Sequence, residues 1–138
     1  MATPLERLAF IGFVRAGVWR CEEGRLRLNL EGLGKCLNIL YALVVEGEVM
    51  YIGKSVKTLA TRMYGYCNPS TTQRTNVRNN RAMLDALAAG RTVEVYVLPD
   101  NGLLHYGGFH VNLAAGLEDS LIRDLRPAWN GAASAVEA

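Results

Sequence analysis

The chain has 138 residues, of which 50% are hydrophobic and 20% are charged, and its formal net charge at pH 7 is +2. This length suits one domain with a single core, and the composition is that of a globular protein. Because no run of about 18 apolar residues occurs and the first residues lack a secretory-signal pattern, we expect no membrane span and a cytoplasmic location.

The charge is unevenly distributed along the chain. Residues 1–50 carry equal numbers of acids and bases, whereas residues 51–93 carry seven basic groups against one acid, and residues 94–138 are net acidic. A basic middle third indicates a polyanionic partner, because attraction to phosphates supplies most of the non-specific affinity for nucleic acid. Charge alone does not separate this interpretation from a solvated helix face.

The first half of the chain predicts two hairpins. Residues 18–23 and 25–30 are candidate strands, and the second of them, RLRLNL, alternates polar and apolar residues as a half-buried strand does. Residues 40–45 and 48–52 form the other candidate pair. They are joined through Gly47, which is free to adopt a positive φ in a tight turn.

Helices alternate with one further strand in the second half. Ser55 is a suitable cap for a helix whose apolar stripe is Val56, Leu59 and Met63. A helix over residues 76–89 is predicted to turn four side chains inward: Val77, Met83, Leu84 and Leu87. TVEVYVL predicts a core strand at 92–98, and a glycine-rich aromatic loop leads to a last helix at 113–125.

These elements predict a mixed α/β (α+β) fold. We expect a small, mainly antiparallel central sheet of three strands flanked by helices, with the N-terminal hairpin added to it as an extension. A single domain is predicted, with the extension over residues 1–39, a core over residues 40–130 and a flexible tail over residues 131–138.

Several residue types suited to phosphodiester chemistry fall near one another. The corner Gly53-Lys54-Ser55 does not fit a phosphate-cradling P-loop, because Glu48 occupies the position of that motif's first glycine. Tyr41 and Tyr51 lie on adjacent predicted strands, and Lys54 and Arg62 can converge on the same place. The alternative is that both tyrosines pack in the core with their hydroxyls at its rim.

A phenol titrates near pH 10 and is a poor base alone, but a nearby cation favours the phenolate, which can take a proton from attacking water. The planar guanidinium of Arg62 suits the charge of a pentavalent phosphorus.

The order of motifs resembles that of the GIY-YIG nuclease family. LYALV is followed by YIGKS, TLATRMYGY and, near the end, LEDSLI and RPAWN, so the resemblance spans about residues 40–130. It implies a group of catalytic residues, with Tyr66 and Lys54 matching the repair members of the family: Tyr41, Tyr51, Lys54, Arg62, Tyr66 and Asn130. Glu118 matches the single metal-binding carboxylate. The first motif lacks its glycine, and the interval from Tyr51 to Arg62 is one residue longer than usual.

The resemblance implies Mg²⁺- or Mn²⁺-dependent hydrolysis of DNA, as in a restriction-type or DNA-processing endonuclease. We favour Tyr51 as the base, since Lys54 is three residues away. Double-stranded DNA is the expected partner of a monomer or homodimer, with phosphate contacts from Lys57, Arg74, Arg78 and Arg81. Tyr106 and Phe109 are candidates for contacts to bases or sugars. The alternatives are a catalytically silent nucleic-acid-binding module of the same fold and a protein-interaction domain with a basic patch.

Overall fold

The computed structural model describes residues 1–99 and 104–131. Its elements in chain order are α1 (Pro4–Phe10), β1 (Val14–Glu22), β2 (Arg25–Leu30), β3 (Ile39–Val45), β4 (Glu48–Ser55), α2 (Leu59–Cys67), α3 (Arg74–Ala88), β5 (Val93–Pro99), β6 (His105–Tyr106), β7 (Phe109–His110), α4 (Leu113–Leu125) and a 3₁₀ turn (Ala128–Asn130). The predicted flexible tail lies, apart from Gly131, outside the described residues.

A five-stranded sheet in the order β2-β1-β5-β3-β4 forms the centre of the molecule, and every pairing in it is antiparallel. The mixed α+β class is as predicted, but the three-stranded sheet is wrong. The N-terminal hairpin joins the central sheet through β1, which pairs with β5 from Val14 opposite Val97 to Trp19 opposite Val93. The reason is burial: Ala16 and Trp19 of β1 belong to the main core and need the neighbouring strand beside them.

Helices cover both faces of the sheet, so β3 is buried along its whole length. Its alternate residues divide between two cores. Tyr41 and Leu43 pack with Met63 of α2 and Met83 of α3 on one face, while the other face of β3 packs against α1 and α4. The hairpin of β3 and β4 therefore lies between the two helical layers, with β4 at the edge of the sheet.

The β3–β4 hairpin turns as predicted at Gly47, whose φ is +80°, while the preceding Glu46 has a φ of +49°. Two consecutive positive φ angles match the twist of the flanking strands. The last helix has the predicted bounds, Leu113–Leu125. Among the helices of residues 1–99 and 104–131, none has the length and hydrophobicity needed to cross a bilayer.

Two details of the predicted helices are wrong. Ser55 ends β4, and α2 is capped by Thr58, whose hydroxyl accepts a hydrogen bond from the Thr61 backbone at 3.1 Å. Val56 therefore precedes the helix and is 73% exposed. On α3, Val77 faces solvent instead of the core, because asparagines occupy the neighbouring inward positions.

Candidate functional site

Three tyrosines from different elements meet beside the end of β4. Tyr41 of β3 and Tyr66 of α2 are fully buried, and their hydroxyl oxygens are 2.7 Å apart. Tyr51 of β4 is half-buried, with its ring centroid 6.1 Å from that of Tyr41. The structure thus brings the two motif tyrosines together, but only Tyr51 among the three retains exposed surface.

Gly53 is required by the packing of these rings. It lies opposite Tyr41 in the strand register. A Cβ added at Gly53 would lie 2.6 Å from the Tyr41 hydroxyl oxygen and 2.9 Å from Cε2 of Tyr51, closer than real contacts allow. The glycine of the Tyr-Ile-Gly sequence therefore lets both aromatic side chains lie across the backbone of β4.

Arg62 is fixed from two sides on α2. Its guanidinium donates from one nitrogen to the Tyr66 hydroxyl at 3.1 Å and from another to Oδ1 of Asn76 at 3.0 Å. Its Cζ atom also lies 4.5 Å from the centroid of the Tyr66 ring. The spacing of four residues that places Arg62 and Tyr66 on one side of a helix accounts for the first contact.

Asn76 and Asn79 belong to this network, and the sequence analysis missed them. Both are buried on α3; Asn76 is held by Oε1 of Gln73 at 3.1 Å, and Asn79 lies 3.4 Å from the Tyr66 hydroxyl as a donor. The signal that was available is the helical register. Counting back four and seven residues from buried Met83 places both amides on the inward face, where a polar residue needs a partner.

Glu118 of α4 approaches the end of β4 from the opposite helical layer. Its carboxylate lies 3.7 Å from Nζ of Lys54, and its side chain is 23% exposed. Burial raises the pKa of Glu118 above its ordinary value, and the attraction of Lys54 only partly opposes that effect. Burial therefore disfavours the ionised form of Glu118, and a further positive charge nearby would favour it.

Tyr51 is close enough to Arg62 and to Glu118 for both charges to affect its pKa. Burial raises its pKa to about 12, with further increases from Tyr66 and Glu118 and an opposing effect of Arg62. Burial likewise raises the pKa of Tyr41 well above the usual phenol value, and the neighbouring Tyr66 adds to that effect. Burial therefore disfavours the ionised forms of Tyr41, Tyr51 and Glu118.

Asn130 holds the backbone of β4 instead of facing the cleft. Its side-chain amide accepts from the backbone N–H of Ile52 and donates to the carbonyl of the same residue, both at 3.0 Å. Since β4 is an edge strand, the amide takes the place of a missing neighbouring strand. Asn130 thereby fixes the residue between Tyr51 and Gly53, so its contribution is positional.

A cleft of about 770 Å³ opens next to Lys54 and Arg62. Lys57 and Arg74, two of the four cations predicted to bind phosphates, also line it, together with Asn112 at the start of α4. The other two are placed differently. Arg78 donates to the Trp129 carbonyl at 3.3 Å, and neither it nor Arg81 lines this cleft, because only the first turn of α3 borders it.

A metal ion would find a sparse ligand set here. Within residues 1–99 and 104–131, no cluster of three or more histidine, cysteine or acidic side chains is present. Mg²⁺ commonly takes one or two carboxylates and fills its remaining positions with water and substrate phosphate oxygens. Glu118, half-buried with a raised pKa and beside a cationic cleft, fits that mode of binding.

Comparison with known proteins gives no match to a protein-family model or to a curated protein. Solved structures do match. A glutamate-to-alanine mutant of bacteriophage T4 EndoII superposes with a TM-score of 0.68 at 20% identity, covering 94% of this chain and 99% of that chain. Restriction endonuclease HPY188I in complex with product DNA superposes with a TM-score of 0.53 at 18% identity, covering 91% and 79%. The chain therefore shares its fold with an endonuclease captured on product DNA.

Proposed function

We propose that this chain is a divalent-metal-dependent endodeoxyribonuclease of the GIY-YIG type, acting on double-stranded DNA. One observation carries the proposal: Lys54 both lines the cationic cleft and contacts Glu118, so a phosphate in the cleft would lie next to a half-buried carboxylate. The order of sequence motifs and the fold shared with an endonuclease support the same reading.

The cleft suits a phosphodiester backbone. Among the described residues, this cavity is lined by the cations Lys54, Lys57, Arg62 and Arg74, and the rest of that lining includes hydroxyl and amide side chains and no acid. Cations attract a polyanion, and hydroxyl and amide groups donate hydrogen bonds to phosphate oxygens. The backbone of a bound strand is thereby held beside Arg62 and Lys54.

Arg62 is suited to stabilising charge on the scissile phosphate. Two of its hydrogen bonds go to Asn76 and Tyr66, whereas a guanidinium has five N–H donors, so its fork is oriented and donors remain for an anion. Donors fixed before the reaction stabilise the developing charge without reorganisation. The amide of Asn76 and the ring of Tyr66 act here by positioning Arg62.

Tyr51 is the residue that we assign as the base. Tyr41 and Tyr66 are fully buried and share a hydrogen bond, whereas Tyr51 is half-buried and close enough to Glu118 for the carboxylate to raise the pKa of the phenol. A divalent cation held by Glu118 together with substrate phosphate would stabilise the leaving oxygen and add positive charge near the phenol. The ionised form of Tyr51 would take the proton of water as the attacking oxygen bonds to phosphorus and the bond from phosphorus to the leaving oxygen breaks.

The pH dependence of cleavage follows from Tyr51. Because its pKa is about 12, the ionised fraction should rise with pH throughout the range from about pH 6 to 9, by about tenfold per unit. The single-turnover cleavage rate of the parent should show that slope, measured at saturating Mg²⁺. Tyr51→Phe should lose it, whereas Tyr64→Phe, altered at a tyrosine that is 66% exposed, should keep it. A flat parent profile would exclude a phenol as the base.

The salt dependence of DNA binding tests which cations touch phosphate. Lys57→Ala and Arg74→Ala should each make the slope of log K against log salt less negative by about 0.9, since each removes one contact. Arg81→Ala should leave the slope unchanged, because Arg81 does not line the cleft. Filter binding of a duplex in EDTA gives these slopes. An effect of Arg81→Ala together with unchanged slopes for Lys57→Ala and Arg74→Ala would show that the DNA follows a surface other than the cleft.

One mobility-shift experiment distinguishes the proposed nuclease from a silent nucleic-acid-binding module and from a protein-interaction domain. A labelled duplex is shifted by the protein at low salt in EDTA, and Mg²⁺ is then added to the same complexes. A shift followed by cutting is expected. A salt-sensitive shift with no cutting would identify a silent nucleic-acid-binding module, and no shift at all would point to a protein-interaction domain.

A further inference from the structure

A small hairpin precedes α4 and plays no part in the site described above. Strands β6 and β7 pair antiparallel, with Tyr106 opposite Phe109. The two glycines of the turn, Gly107 and Gly108, have φ angles of +59° and +82°. A backbone hydrogen bond of 2.8 Å from Val111 to Leu104 closes the base. The segment is therefore a defined turn of the type that tight hairpins favour.

The two residues that flank the turn and pair across this hairpin both have exposed aromatic side chains. Tyr106 is 84% exposed and Phe109 is 78% exposed. Aromatic side chains normally bury 150–250 Å² each, so displaying two cross-strand neighbours forgoes that burial. Adjacent exposed aromatic groups of this kind mark a binding surface rather than a scattered surface residue.

The hairpin is tied to the wall of the cationic cleft. Asn112 caps α4, accepting from the Ala115 backbone at 3.2 Å, and both residues line the cleft. Phe109 is three residues earlier, so the chain keeps its Cα within about 11 Å of the Cα of Asn112. A strand whose phosphates occupy the cleft would bring its bases within reach of the tip.

We propose that Tyr106 and Phe109 form an aromatic wedge that inserts into a base step of the bound DNA and unstacks it beside the cleaved bond. The inference rests on the proposed nuclease function and adds how the substrate is engaged. The tip sequence HYGGFH carries no acid that would repel phosphate. Every base presents a π face, and apolar side chains are known to wedge between base steps at the cost of local unstacking.

The test uses the full chain in EDTA with duplexes that carry 2-aminopurine at successive positions, whose fluorescence rises when the base unstacks. The parent should increase the signal at one or two positions. The double variant Tyr106→Ala/Phe109→Ala should lose that increase and bind about tenfold or more weakly, with an unchanged salt slope. Phe10→Ala, at an aromatic residue on α1 that is 86% exposed, should behave as the parent does.

A conservative variant distinguishes loss of the aromatic rings from loss of the hairpin structure. Tyr106→Trp/Phe109→Trp keeps the stacking surface and should retain the fluorescence increase and the affinity. The double alanine variant should also recover most of the lost affinity on a duplex with a mismatch at the step where 2-aminopurine responds. A mismatched step is already partly unstacked, so binding there needs less unstacking.

The outcomes separate the two proposals. If the alanine variant and the parent bind DNA equally and give the same fluorescence, the wedge is overturned while the nuclease proposal stands. If the parent binds no DNA, both fall. If the alanine variant keeps its DNA affinity but shifts from dimer to monomer in sedimentation, the tip is a contact with a second copy and the wedge is wrong.

Discussion

Replacing Glu118 by glutamine is expected to lower the rate of Mg²⁺-dependent DNA cleavage by about 10³-fold while leaving DNA binding intact. The side chain is the carboxylate that reaches the cleft through Lys54, at 3.7 Å, and glutamine keeps its shape without its charge. Binding in EDTA should be equal or tighter, because a negative group near the phosphates is removed. Single-turnover cleavage and filter binding measure the two effects separately.

The same substitution should not destabilise the fold. The pKa of Glu118 is raised by burial, so the ionised form is disfavoured in the folded state and its charge works against stability at neutral pH. The stability deficit is absent at low pH, where the group is protonated, and appears as the pH rises through the ordinary carboxyl pKa. The melting temperature of Glu118→Gln at pH 7 should therefore equal or exceed that of the parent.

Asp119→Asn is the matched control for this prediction. Asp119 is the adjacent carboxylate, but its side chain is 63% exposed and pairs with Arg123 at 3.4 Å along the helix. Its loss should leave cleavage within about twofold, since exposed pairs of this kind contribute little. Equal losses from the two substitutions would show that negative charge on α4, and not a carboxylate at the cleft, is what matters.

Replacing Arg62 by lysine is expected to lower the cleavage rate by about 10²- to 10³-fold. Lysine keeps the positive charge but lacks the planar fork that contacts Asn76 and Tyr66 together. The loss should appear in the maximal single-turnover rate and only weakly in DNA affinity, because the charge remains for ground-state attraction.

Two variants make this result interpretable. Arg91→Lys, in the exposed connection after α3, should cleave as the parent does. Asn76→Ala, which frees one side of the guanidinium, should lower the rate less than Arg62→Lys does and leave the phosphate-contact slope unchanged. If Arg62→Lys retains the parental rate, charge alone suffices and the oriented fork has no catalytic part.

The local elements could be predicted because their signals are local. Residues 113–125 form the predicted helix, because leucine at every fourth position is typical of the apolar face of a helix. The β3–β4 hairpin follows from the short link through Gly47. The convergence of Tyr41, Tyr51 and Arg62 also follows, because it depends on one hairpin and the helix directly after it.

The features that the sequence did not reveal are contacts between distant parts of the chain. Pairing of β1 with β5 joins residues about 80 positions apart, and neither strand carries a signal for its partner. Asn76 and Asn79 share the inward face of α3 with Met83, but their partners, the guanidinium of Arg62 and the hydroxyl of Tyr66, come from another helix. Arg74 lines the cleft, whereas Arg78 contacts Trp129. Tertiary packing decides this difference, so the sequence alone does not predict it.

We propose that this chain cuts DNA with a site built from Tyr51, Arg62 and Glu118. Its most direct test is incubation of supercoiled plasmid with the purified protein in Mg²⁺ or in EDTA, followed by electrophoresis and sequencing of the cut ends. We predict nicked and linear products in Mg²⁺ and none in EDTA, with Glu118→Ala inactive in both. Cutting by Glu118→Ala at the parental rate, or intact plasmid with the parent in Mg²⁺, would contradict the claim.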